Sequence, residues 1–239
     1  MKPTLILVHG AFAGQYAWAQ LKPLLEQAGR KVVTLDLPAH GDDSTPVGSA
    51  TFDQYVDAVG RLVATEADPV TLVGHSMAGM VVSQVAEAMP EKFDKLVYLS
   101  AYLPKNGDDL QTLSQGDHES LIGPNLTFAP DYSSASLPDD IVRTVFAGDC
   151  SDEIKDLVVR RNKPEPLAAF QAKAELTDEK FGSVPKYYVQ TLKDQGVGTS
   201  LQGRMIADNG HIRQVFTLDC GHSAYFAKPT ELAAILKDL

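Results

Sequence analysis

The stretch "TLVGHSMAGMVV" sets Ser76 between an apolar run and a segment of small residues that opens a helix. A serine hydroxyl is a weak nucleophile near neutral pH and needs both exposure and a base to take its proton. A tight strand-to-helix turn supplies the exposure. It also aims the backbone N–H of Met77 from a helix N-terminus, where unpaired donors and the helix dipole favour a negative oxygen. The motif is G-x-S-x-G with Ala78 in the last position, followed by Gly79. Gly74 and residue 78 have to be small because strand and helix nearly touch there. The turn is expected to absorb one methyl group but not a branched side chain.

Of the six histidines, His222 in "LDCGHSAYFAKP" is the candidate base. It follows the last apolar strand pattern and so falls on the same sheet edge as Ser76. His75 adjoins the serine, and its side chain is expected to point away from the nucleophile. His9 reads as a structural turn residue. The acid belongs after a strand between Ser76 and His222, and Asp194 in "YYVQTLKDQGVG" lies just past one. Asp219 and Asp208 are the alternatives, although Asp219 is close to His222 in sequence. The carboxylate would fix the imidazole tautomer and stabilise the imidazolium. The order nucleophile, acid, base then holds along the chain. The turn "HGAF" after the first strand offers Ala11 N–H as a second oxyanion donor, with Phe12 bordering the acyl pocket.

These residues require elements that bring them to one edge. "TLILVHG", "KVVTLDLP", "PVTLVG" and "DKLVYLSAYLP" read as buried strands. They alternate with helical patterns in "YAWAQLKPLLEQAG", "TFDQYVDAVGRLVATEA" (N-cap Thr51) and "SMAGMVVSQVAEAMP". The alternation predicts a mostly parallel sheet with helices on both faces. It stops at residues 105–183, where polar turns and the helical patterns "DDIVRTVFAG", "SDEIKDLVVRRN" and "EPLAAFQAKAEL" predict a mainly helical insertion over the ligand side. Strands return in "PKYYVQTL" and "RQVFTLDC", and "KPTELAAILKDL" is a closing helix. The expected organisation is a core of residues 1–104 and 184–239 with a cap of residues 105–183.

At 239 residues and 44% hydrophobic the chain can bury a core without disulfides or metals. A formal charge of −10 argues against binding nucleic acid or anionic membranes. Cys150 and Cys220 are too far apart for a C-x-x-C arrangement and are expected as two reduced, partly buried thiols. The apolar N-terminal run is too short for a signal peptide or a membrane span, so the expectation is a cytoplasmic protein.

The segments "LVHGAFAGQYAWAQLKPLLEQAGRKVVTLDLPAHGDD", "LVGHSMAGM", "KLVYLSAYLP", "DEKFGSVPKYYVQTLKDQGV" and "DCGHSAYFAKPTELAAIL" together resemble the α/β-hydrolase superfamily. More narrowly, they resemble the plant methylesterase and hydroxynitrile lyase family and its bacterial esterase relatives. The resemblance implies an α/β-hydrolase fold with Ser76, Asp194 and His222 as catalytic residues. The lyase branch carries Thr where this chain has Gly10 and Lys where it has Ser223. Gly10 leaves the oxyanion site open to an ester carbonyl, and neither residue supplies a cation for departing cyanide.

The expected activity is therefore a carboxylesterase that needs no metal or organic cofactor. Its substrates would be small lipophilic or aromatic esters, of methyl-ester or xenobiotic type. The aromatic residues Phe12, Trp18, Tyr102, Tyr225, Phe128, Tyr132, Phe146 and Phe170 are candidates for the pocket. Phe12, Gly10 and Ser223 are the candidate substrate contacts. The alternatives are a hydroxynitrile lyase or C–C or lactone hydrolase on the same triad, and a small-molecule receptor. The expected partner is the small-molecule ester, with a homodimer left open.

Overall fold

The computed structural model describes residues 2–239. Six strands form one parallel sheet: β1 (Leu5–Val8), β2 (Val32–Thr34), β3 (Val70–His75), β4 (Phe93–Leu99), β8 (Lys186–Thr191) and β9 (Ile212–Leu218). Their order across the sheet is β2-β1-β3-β4-β8-β9, and every neighbouring pair is parallel. β1 and β3 are buried along their whole length. Alternate side chains therefore enter two different cores. Ile6, Val8, Leu72, Leu96, Tyr98 and Tyr188 face one, and Leu5, Leu7, Val73, Val97, Leu99 and Val189 face the other.

The first core is covered by α2 (Phe52–Ala64), α3 (Ala78–Ala88) and α9 (Thr199–Asn209), and the second by α1 (Leu21–Gln27) and α11 (Pro229–Leu236). Thr51 caps α2 as expected. Its hydroxyl accepts from Gln54 N while Gln54 reaches back to Thr51 N, a reciprocal cap worth about 1 kcal/mol. α9 was not anticipated from the sequence. It ends at Gly210, whose φ of 66° is the left-handed conformation that stops a helix cleanly.

Residues 105–183 carry α4 (Leu110–Ser114), α5 (Ile122–Asn125), α6 (Asp139–Ala147), α7 (Asp152–Arg161) and α8 (Ala168–Gln171). They also carry an unpredicted antiparallel sheet of β5 (Thr127–Phe128), β6 (Ser134–Ser136) and β7 (Glu165–Pro166). The helix expected across "EPLAAFQAKAEL" is therefore corrected: its first two residues pair with β6, and only α8 is helical. Pro166 has no N–H to donate and is tolerated because β7 is an edge strand. The last helical region is split by Lys228 and Pro229 into α10 (Ala224–Ala227) and α11. Cys150 and Cys220 are free thiols. No helix among the described residues is long and apolar enough to cross a membrane.

Candidate active site

Ser76 sits directly after β3 with φ of 55°, a left-handed conformation costing on the order of 1–3 kcal/mol for a non-glycine residue. The turn is held by Ser76 N donating to Leu99 O and by Ser76 O accepting from Gly79 N and Tyr102 N. Gly74 is needed because a Cβ there would lie 2.9 Å from Ala78 O and from a Val82 methyl. Ala78 is fully buried and its methyl is accommodated. The tightest approach is one residue further on, where a Cβ at Gly79 would fall 1.9 Å from Tyr102 O. Backbone closeness explains the small residues, and position 78 is the one that tolerates a methyl.

Asp194 follows β8 and His222 follows β9, so strand order alone brings them to the edge where Ser76 lies. His222 Nδ1–H donates to both carboxylate oxygens of Asp194, at 2.9 Å each. Both side chains are fully buried. The carboxylate is further held by Gly196 N at 2.7 Å, Val197 N at 2.9 Å, Thr191 Oγ1 at 2.7 Å and Gln202 Nε2 at 3.1 Å. Gly196 lies flat against the imidazole, since a Cβ there would be 2.8 Å from the ring. With the proton on Nδ1, the lone pair of His222 is on Nε2, which is buried and has no partner. Ser76 Oγ makes no hydrogen bond among the described residues, so no Ser76–His222 bond is formed in this state. Such bonds are often long before substrate binds.

Asp219 and Asp208 pair elsewhere. Asp219 pairs with Lys193 at 2.9 Å and Asp208 with Lys105 at 3.4 Å, all four side chains being exposed. His75 braces His222, its Nε2–H donating to His222 O at 3.1 Å, and the two rings lie 4.5 Å apart. Burial first, and His222 beside it second, push the His75 pKa well below the ordinary histidine value. His75 is thus a neutral support for the loop that carries His222.

The turn after β1 brings its residues to the same edge. Neither Ala11 N nor Met77 N has an acceptor among the described residues, whereas Phe12 N donates to Glu165 Oε2 at 2.8 Å. His9 is structural: its Nδ1–H donates to Gly10 O at 2.8 Å and its Nε2 accepts from Leu37 N at 3.0 Å. Burial, reinforced by His40, lowers its pKa to about 3. A Cβ at Gly10 would lie 2.7 Å from Ser76 Cβ and 3.0 Å from His75 Nδ1. Glycine at position 10 is thus fixed by contact with the elbow.

Beside this turn lies a cavity bordered by Ala11, Phe12, His75, Phe146, Asn162 and Tyr225. It has room for no more than about one water molecule, about 10 Å³. Gly10 and Ser223 do not line it, and the Ser223 hydroxyl donates to Tyr225 OH at 3.2 Å. Of the aromatic candidates, Phe12, Phe146 and Tyr225 line the cavity, joined by Tyr16 and Phe226. Trp18, Tyr102 and Phe170 are core residues, while Phe128 and Tyr132 are exposed and stack on each other. A surface depression of about 430 Å³ is lined by Arg143, Lys155, Lys193, Gln195 and Gly221; like the small cavity, it does not include Ser76. No cluster of three or more His, Cys, Asp or Glu among the described residues is arranged to hold a metal.

A strained serine, a buried carboxylate–imidazole pair and two N–H groups without an acceptor thus lie at one sheet edge. A sequence model described as the Alpha/beta hydrolase family matches residues 5–235. The chain belongs to the alpha/beta hydrolase family. Among the curated relatives of this hydrolase is Salicylic acid-binding protein 2 of Nicotiana tabacum, 31% identical over 98% of this chain and 95% of that one. Methyl jasmonate esterase 1 of Vitis vinifera is 27% identical over 98% and 95%. Alpha-hydroxynitrile lyase of Arabidopsis thaliana is 28% identical over 97% and 94%. The hydrolase also superposes on the crystal structure of polyneuridine aldehyde esterase with a TM-score of 0.90, at 26% identity over 100% of this chain and 99% of that one.

Proposed function

We propose that the protein is a serine carboxylic ester hydrolase that works through an acyl-enzyme. Ser76 Oγ attacks the ester carbonyl while His222 Nε2 takes its proton. The oxyanion forms between Ala11 N–H and Met77 N–H, neither of which has an acceptor among the described residues. His222 then protonates the departing alkoxide, and Asp194 stabilises the imidazolium through Nδ1–H. A water activated by the same Nε2 releases the acid. Each proton and each charge is handled by a group of the chain, so these steps call for no cofactor.

The observation that carries this reading is the division of labour on His222. One nitrogen is locked to a buried, fully satisfied carboxylate, while the other is bare and buried at the edge where Ser76 is strained. Ser76→Ala is expected to lower kcat on a p-nitrophenyl ester by about 10⁴-fold or more while the protein stays folded. Turnover by that variant at the wild-type rate would remove the assignment.

Small lipophilic or aromatic esters suit an aromatic cavity, and related plant esterases support that class. Cyanohydrin cleavage is disfavoured because position 223 holds a hydroxyl tied to Tyr225 in place of a cation. The cavity is nearly closed, and part of its wall, Phe146, Val158 and Asn162, comes from residues 105–183. That segment therefore acts as a cap that shifts to admit substrate, over a core of residues 1–104 and 184–239. The acidic chain with its two free thiols suits the cytoplasm.

A further inference from the structure

A second buried carboxylate reaches the reaction edge from outside the core. Glu165 lies on β7, within residues 105–183, and its side chain is completely buried. Its Oε2 accepts from Phe12 N at 2.8 Å and from His40 Nε2 at 2.8 Å. His40 Nδ1–H donates to Pro38 O at 2.9 Å, so both ring nitrogens face oxygen atoms, an arrangement that favours the imidazolium. Both backbone segments it meets are left-handed at non-glycine residues: Phe12 at φ of 60°, and Ala39, next to His40, at φ of 68°. Such conformations persist where neighbouring contacts over-determine them. Phe12 directly follows Ala11, whose N–H is free. The Phe12 N–H would otherwise be a buried donor without a partner.

We propose that Glu165 is a positioning residue for ester hydrolysis: by holding Phe12 N–H it fixes the turn that presents Ala11 N–H to the oxyanion. The proposal rests on the hydrolase reading given above. It makes the oxyanion turn dependent on the 105–183 segment being docked, because the acceptor that pins it belongs to that segment. Glu165 touches no reacting atom. Its effect is on the chemical step, since a donor misplaced by about 1 Å can cost about 10²-fold in rate.

The test compares Glu165→Leu, which removes the acceptor, with Glu165→Gln, which keeps an acceptor oxygen for Phe12 N–H. The double variant H40L/E165L replaces the buried pair with two apolar side chains and so guards against unfolding caused by an uncompensated charge. With a p-nitrophenyl ester, Glu165→Leu and the double variant are expected to lose about 10- to 100-fold in kcat with KM within about threefold of wild type. Glu165→Gln is expected to recover most of that loss. Hydrogen exchange at the Phe12 amide should be slow in the wild type and in Glu165→Gln and fast in the two variants that lack the acceptor.

A folded H40L/E165L protein with wild-type kcat overturns the proposal. So does a loss confined to KM, or a Gln variant as slow as the Leu variant with its Phe12 amide still protected. Should the wild type itself turn over no ester, the hydrolase reading fails by that result, and the exchange measurement still decides whether Glu165 holds the turn.

Discussion

Two imidazole–carboxylate pairs are buried in this hydrolase, and their difference shows what makes a histidine available for chemistry. His222 with Asp194 and His40 with Glu165 are both fully buried, with contacts of 2.9 and 2.8 Å. In the first pair the carboxylate takes Nδ1–H and nothing takes Nε2. In the second, the carboxylate takes Nε2–H and Pro38 O takes Nδ1–H. His222 keeps a lone pair that can accept a proton. His40 has none free, so it can serve only as a fixed charge. Burial opposes charge on His40, but the charge and hydrogen bond of Glu165 outweigh it and raise its pKa above the ordinary value. The carboxylates differ as well. Asp194 has backbone donors on Oδ1 and side-chain donors on Oδ2, whereas Glu165 Oε1 has no partner.

The sharpest way to break the contrast is Asp194→Asn. The amide cannot hold His222 in the tautomer that leaves Nε2 bare, so kcat is expected to fall about 10⁴-fold. An ester assay showing less than a tenfold loss would mean that Asp194 does not set the tautomer. The matching change in the other pair is His40→Gln, whose main expected effect is on stability. Leaving Glu165 as an uncompensated buried charge is expected to cost about 3–5 kcal/mol, read from urea denaturation. An unchanged midpoint would show that the pair is not charged.

The smallest effect concerns protonation. Because the folded pKa of His40 is raised, its contribution to stability is complete below about pH 6.5, the unfolded value, and is lost as pH rises through the folded value. His9 behaves oppositely. With its folded pKa near 3, the unfolded chain binds the extra proton between about pH 6.5 and 3, so stability declines as pH falls through that window. Imidazole ¹⁵N shifts at pH 6 should show His40 charged and His9 and His75 neutral. A charged His9 or a neutral His40 at that pH would erase the distinction.

Much of the site was legible because it follows strand ends. "TLVGHSMAG", "YYVQTLKDQG" and "FTLDCGH" each place a polar residue just past an apolar run, and parallel strands bring such positions to one edge whatever lies between them. The small-residue requirement at the elbow was legible too, although closest contact falls at Gly79. The clamp from Glu165 was not legible. In "NKPEPLAAF" nothing distinguishes Glu165 from a solvated loop carboxylate, and its partners lie 125 and 153 residues away. Thr191 and Gln202 complete the shell of Asp194 and were missed: Thr191 is one more polar residue at the end of β8, and Gln202 sits on α9, whose apolar positions are sparse. Asn209-Gly210 was the stop signal that could have exposed that helix.

By itself the sequence determined the alternation of strands and helices, and hence the parallel sheet and the edge on which Ser76, Asp194 and His222 lie. Periodicity and strand order are local properties that survive without knowledge of contacts. Only the tertiary structure decided which histidine keeps a bare nitrogen, which carboxylate of residues 105–183 grips the first turn, and how little room the cavity leaves. Those outcomes depend on hydrogen bonds and packing between residues far apart along the chain, where a shift of an ångström changes which partner is reached.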